Sequence, residues 1–197
     1  HELAEAVALG AVGGTSNPVI VSQAVKAQPE KCNPLLDQFV REYPAATEDE
    51  IAWKLLHALA RESASKLKPV YDATRGAKGF LSVQVNPKFY PSRSKMLEQA
   101  TELAALAPNI AIKAPATDEG IRAMEDMTAR GIRINATVSF SVAQVVAVAE
   151  AIERGLKRAR ADGVNADAVR PYITLMIGRV DDHLKRVAEK EKIATTP

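Results

Sequence analysis

The stretch "APNIAIKAPATDEGIRAM", Ala107–Met124, decides how this chain is read. Its centre, "NIAIKAPA", has the composition of a buried strand: an apolar run that opens on Asn109 and carries one lysine, Lys113, near its far end. A strand entering the middle of a domain would hold Ile, Val or Ala there, because an unpaired buried ammonium is costly or is driven to its neutral form. Lys113 is therefore either an edge residue whose amine reaches solvent or a working amine. The residues behind it, "TDEGIRAMEDMTARG", carry apolar side chains at helical spacing, so strand and helix form one βα unit.

The same unit recurs on both sides. Upstream, "HELAEAVALG" reads as a helix ending at Gly10, and "AVGGTSNPVIV" as a short strand closed by a polar, proline-containing turn. Helical pieces fill the chain from Ser22 to about Lys78. One opens with Asn33 as N-cap and Pro34 behind it; a longer one opens with Thr47 and Glu50 at capping-box spacing. "GFLSVQVNP" is a strand and "SRSKMLEQATELAALAP" a helix ending near Pro108. Downstream come the strand "IRINATVSFS", the helix "VAQVVAVAEAIERGLKRARA", the strand "YITLMIGRV" and a helix starting at "DDHLKRVAEKEKI".

Five strand segments, each followed by helix, imply a parallel sheet covered by helices. Polar residues recur at or beyond the strand ends: Asn17, Gln84, Lys113, Thr137 and Arg179. A TIM-type (β/α)8 barrel gathers such positions around one mouth, which favours it over an open, doubly wound sheet. A full barrel takes eight strands and about 250 residues. The expectation is one domain over residues 1–197 with about five βα units, lacking the first strand and the last units, as an incomplete barrel or a portion of something longer. Unpaired sheet edges then favour association into a homo-oligomer.

Composition narrows the function classes. With 26 basic and 24 acidic side chains, net charge +2 and 47% hydrophobic residues, the chain has the makings of one filled core and no bulk charge that argues for nucleic acid or membrane. A single cysteine, Cys32, excludes an intrachain disulfide and a thiolate metal cluster. No apolar run approaches the ~20 residues of a membrane span, and the first residues lack a signal-peptide layout. The reading is a soluble cytoplasmic protein.

Taken in order, "GGTSNPVIV", "FLSVQVNP", "IAIKAPATDEGIRAM", "GIRINATVSFSVAQ" and "IGRVDD" resemble the successive strand-end motifs of the transaldolase and fructose-6-phosphate aldolase family of Schiff-base barrels, collinearly from about Glu2 to Val187. The resemblance implies that Lys113 forms the imine with a phosphorylated ketose, and that a three-carbon unit is transferred or cleaved off with no metal or organic cofactor. It places Thr15 and Asn17 at the sugar, Asn135 at a hydroxyl near the imine, Thr137 at a catalytic water, and Thr174 and Arg179 at the substrate, Arg179 on its phosphate. Without the resemblance, Asn17-Pro18 would be read as a turn, and Arg179 as an ion-pair partner of Asp181 or Asp182.

The departures matter as much. Where the resemblance implies a Glu that passes protons through a water, this chain has Gln84, and a carboxamide is no base; the aldolase branch carries Gln there beside a Thr and a Tyr. The Tyr position is Met176, where transaldolases have Phe. The catalytic Asp that the resemblance implies belongs to a strand ahead of "GGTSNP", before residue 1. A second class of function therefore stays open: a sugar-phosphate-binding barrel with impaired or no catalysis. His57 in "WKLLHALA" reads as a packing histidine. His183, beside Asp181 and Asp182, is no metal ligand, because adjacent helical residues point apart.

Overall fold

The computed structural model describes residues 2–193. The chain order is α1 (Glu2–Ala8), β1 (Gly13–Thr15), α2 (Pro18–Ala27), α3 (Pro29–Glu42), α4 (Glu48–Ala73), β2 (Phe80–Gln84), α5 (Arg93–Ala104), β3 (Ile110–Pro115), α6 (Asp118–Ala129), β4 (Ile134–Ser139), α7 (Val142–Ala161), β5 (Tyr172–Leu175) and α8 (Ile177–Glu191). All neighbouring strands pair parallel, and their spatial order is β1-β2-β3-β4-β5.

That order separates the two architectures open at the level of sequence. A doubly wound sheet reverses direction once and lays helices on both faces. Here each crossover adds the next strand on the same side, and with the right-handed sense that parallel βα units take, this puts the helices on one face and leaves the other for a barrel interior. The fold is α/β, five parallel strands forming part of a TIM barrel.

The covered face is the core. Leu81, Val83, Ile110, Ile112, Ile134 and Ala136 of β2–β4 lie buried against Leu67 of α4, Met96 and Leu103 of α5, Met124 and Met127 of α6, and Val148 of α7. Each fully buried Leu, Ile or Met contributes about 1.5–3 kcal/mol of transfer free energy. The caps agree with this packing. Thr47 and Glu50 close a reciprocal box on α4, Ser141 and Gln144 do so on α7, and the Thr117 side chain accepts from Gly120 N on α6.

Asn109, the polar residue that opens the deciding stretch, is fully enclosed, and its Nδ2 donates to the carbonyls of Ala64 (2.8 Å) and Gly79 (2.9 Å). It pins the entry of β3 to α4 and β2. Gly79 itself sits at φ +80°, with the Tyr71 backbone where a Cβ would be, so the turn into β2 takes no other residue without strain.

Three expectations change. The first strand is only Gly13–Thr15, because Asn17 caps α2 and "PVIV" is helical. Helix α3 starts at Pro29, not behind Asn33, and carries Pro34 in its second turn, where the ring removes one hydrogen bond without ending the helix. Helix α8 begins at Ile177, so "IGRV" is its first turn and not the end of β5. Among the described residues, β1 and β5 pair on one side only, and no helix is long and apolar enough to cross a membrane.

Candidate active site

Residues in register on parallel neighbours point to the same face, so the ladder fixes the lining of the interior. Gln84 on β2, Lys113 on β3, Asn135 on β4 and Tyr172 on β5 form one row across it. Thr15, Ser82 and Ala111 form the row on the N-terminal side, and Pro115 and Thr137 the row on the C-terminal side. The alternate residues Ile112, Ala114, Ile134 and Ala136 face the helices, which is why Lys113 stands in an apolar run without entering the core.

Lys113 is half-buried. Burial pulls its amine below the ordinary lysine value, and the positive charge of Arg179 lowers it further. Both effects favour the neutral form, the one with a lone pair to share. Arg179 is exposed in the first turn of α8, just beyond β5, on the C-terminal side of the sheet. Among the described residues, no group of three or more His, Cys, Asp and Glu side chains is placed to hold a metal ion, and His183 with Asp181 and Asp182 makes none.

Asn135 is oriented from both sides. Its Nδ2 donates to Ser82 Oγ at 3.0 Å, and its Oδ1 accepts from the Thr174 hydroxyl at 2.8 Å. One amide hydrogen remains for the interior. Thr137 is buried, and its hydroxyl donates to the Met176 sulfur at 3.4 Å; the Val138 N–H points at the same sulfur at 3.2 Å. The β4–β5 ladder shifts register between Ala136 and Ser139, and Val138 lies at φ 59°, a strained value for a β-branched residue. Met176 thus fills the mouth beside Thr137 and occupies its hydrogen.

Thr15 and Asn17 stand at the other edge, two strands from β3. Asn17 is a helix cap: its Oδ1 accepts from Ile20 N at 2.9 Å, which uses one of its two lone pairs and fixes the side chain while the amide hydrogens stay available to a ligand. Gln84, Lys113, Asn135 and Thr174 are brought together, with Arg179 in electrostatic range of the amine. Ser82 and Tyr172 were missed in the sequence. The signal for Ser82 was period two, since it lies two residues before Gln84 in "FLSVQ". Beneath the row, the Arg133 guanidinium stacks 3.5 Å over the Phe80 ring and donates to the Ala168 carbonyl at 2.7 Å.

A partial (β/α) barrel carries here an amine, amides and hydroxyls at the C-terminal strand ends, the face at which barrel enzymes of this architecture hold their active sites. The comparison with known proteins makes this specific. The profile of the family described as "Transaldolase/Fructose-6-phosphate aldolase" matches residues 2–197, and the chain belongs to that family. It is similar to transaldolase 1 of Streptomyces avermitilis, 35% identical over 181 residues, covering 90% of this chain and 47% of that protein. It is 34% identical over 200 residues to the transaldolase of Thermobifida fusca, covering 98% of this chain and 53% of the relative. The transaldolase of Thiobacillus denitrificans is 32% identical over 174 residues, 87% of this chain and 48% of its own length. The chain spans about half the length of the curated relatives it matches.

Proposed function

We propose that the protein acts on phosphorylated ketoses through an imine on Lys113, transferring or cleaving a three-carbon unit without metal or organic cofactor. The observation that carries this reading is the placement of Lys113: interior, half-buried, flanked in register by Gln84 and Asn135, with its amine held toward the neutral form. The lone pair attacks the ketose carbonyl, a C–N bond forms, and the carbonyl oxygen leaves as water. The cationic imine then accepts the electron pair of the bond between the third and fourth carbons, the hydroxyl on the fourth carbon gives its proton to a water, and the distal fragment departs as an aldehyde. The three-carbon remainder passes to an aldehyde acceptor, or is protonated and hydrolysed off the lysine.

Asn135 donates its remaining amide hydrogen to a substrate hydroxyl, in the orientation set by Ser82 and Thr174. Thr15 and the amide hydrogens of Asn17 line the sugar, and the Arg179 fork takes the phosphate. Gln84 and Thr137 hold a water; neither removes its proton. The whole protein in this reading is a homo-oligomer of the cytoplasm. Borohydride reduction of the full-length protein with fructose 6-phosphate is expected to fix a sugar adduct on Lys113 and none in Lys113→Met. A label on another residue, or none with any ketose phosphate, refutes the imine.

A second reading has its own observation: the Thr137 hydroxyl is given to Met176, and position 84 holds no base. A barrel that binds sugar phosphates with impaired catalysis would show calorimetric binding without turnover, and Gln84→Glu would restore turnover. Ready turnover by the unaltered protein excludes it.

A further inference from the structure

On the helical side, away from the interior row, a cleft of about 810 Å³ opens between α4 and α5 under the turn that follows β2. That is the size of a small-molecule pocket. Its walls are aromatic: Tyr43 ahead of α4, Trp53 on α4, and Phe89 beyond β2. Two of these rings already hold cations, Lys54 Nζ 3.5 Å over Tyr43 and Lys95 Nζ 5.7 Å over Phe89. Among the described residues no cation stands over Trp53; its ring packs on one side against the core and meets the His57 edge, 6.2 Å between centroids, while it also lines the cleft. Trp offers the strongest cation-binding face of the three ring types.

The carboxylates are placed to match. Glu98 and Glu102 lie one turn apart on α5, both line the cleft and both are exposed; Glu102 acts electrostatically on His57, and neither takes part in an ion pair with a Lys or Arg among those found in the described residues. Asp49 is paired with Lys88 at 2.9 Å, and Glu50 is taken up in the α4 cap. His57 adds no charge that would repel a cation, because burial holds it below its ordinary value, toward the neutral form. A Trp ring with no cation over it and two exposed carboxylates therefore line one cavity, while the lysines that could receive an anion are directed onto rings.

The geometry points to a second ligand site here, for an organic cation with a short apolar body, such as an alkylguanidinium or alkylammonium group, stacked on Trp53 and paired with Glu98 and Glu102. It is independent of the chemistry at Lys113, and no atom of the site belongs to the interior row.

Trp53 is the single tryptophan of these 197 residues, and the emission lost in Trp53→Phe is the signal that reports on this cleft. Butylguanidine and its neutral isostere butylurea form the matched pair of probes. Titration with butylguanidine is expected to change Trp53 emission saturably, with butylurea at least tenfold weaker. The double variant Glu98→Gln, Glu102→Gln is expected to weaken the response at least tenfold while the emission without probe stays as it was. Borohydride trapping at Lys113 serves as an independent check that the variant is folded. Equal responses to the two probes, an unchanged affinity in the double variant, no saturable change up to 10 mM butylguanidine (about the weak-binding limit of a specific site), or saturation by inorganic phosphate instead would each overturn the assignment.

Discussion

Gln84→Glu tests the interior row through the amine of Lys113. The two residues are register partners on neighbouring parallel strands, which run about 4.8 Å apart, so a carboxylate at position 84 stands about 6 Å from the amine. At an effective dielectric of about 20 that attraction is about 3 kcal/mol, and solvent screening of a half-buried lysine brings it to between about 1.4 and 2.8 kcal/mol. This is about one to two pKa units, and it favours the charged ammonium, against burial and Arg179. The pH dependence of reductive trapping with fructose 6-phosphate reads the effect. The midpoint is expected to rise by about one to two units, with the plateau at high pH retained, whereas Gln84→Met leaves the midpoint where it was. A midpoint that stays or falls in Gln84→Glu would show that residues 84 and 113 do not share the interior.

Arg179→Met removes a charge that lowers the Lys113 amine, so the same midpoint rises; loss of a charged hydrogen bond to phosphate, about 1.5–3 kcal/mol, also cuts the preference for phosphorylated over unphosphorylated ketose about tenfold or more. Asp126 on α6 accepts two bonds from Arg93 on α5 (2.6 and 2.8 Å) and one from Arg158 on α7 (2.9 Å). The carboxylate is buried while both arginines are nearly half exposed, so Asp126→Asn is expected to cost about 2 kcal/mol in urea unfolding, between a buried pair and a surface one. The Arg93 bond, first among the causes, holds this carboxyl below its ordinary 3.8; its contribution is full above that value and is lost as pH falls through the lowered one, so the acid limb of the stability curve flattens in Asp126→Asn. Gly79→Ala, forced to φ +80° against the Tyr71 backbone, is expected to destabilise by more than about 1 kcal/mol, read as a lower urea midpoint.

Periodicity carried most of the fold because β2, β3 and β4 are each bounded by turn residues and followed by a capped helix, leaving one period to read at a time. It failed where two periods overlap. In "YITLMIGRV" the apolar run suits a strand, yet Ile177, Val180, Leu184 and Val187 recur at helical spacing, and α8 takes the second half. At Asn17 the local competition went the other way: a side chain able to serve a ligand is held by the Ile20 N–H in the first turn of α2. Val138 gave no signal at all, since a β-branched residue is among the last expected at positive φ, and only the shifted β4–β5 ladder accounts for it.

The orientation of Asn135 was beyond the reach of pattern because it depends on curvature. Asn135 and Ser82 lie on strands separated by β3, and in a flat sheet those strands stand about 9–10 Å apart. Two short side chains rising parallel from such a sheet would not meet. They do meet, at 3.0 Å, across Ala111, the register partner of Ser82, whose single methyl leaves the space between them open. The sheet must therefore be concave on this face. A larger residue at position 111 would separate the pair, free the Asn135 amide to turn, and redirect the hydrogen proposed for the substrate while leaving every proposed site residue in place. Sheet curvature and the small residue of β3 are thus part of the site, although neither carries a functional group.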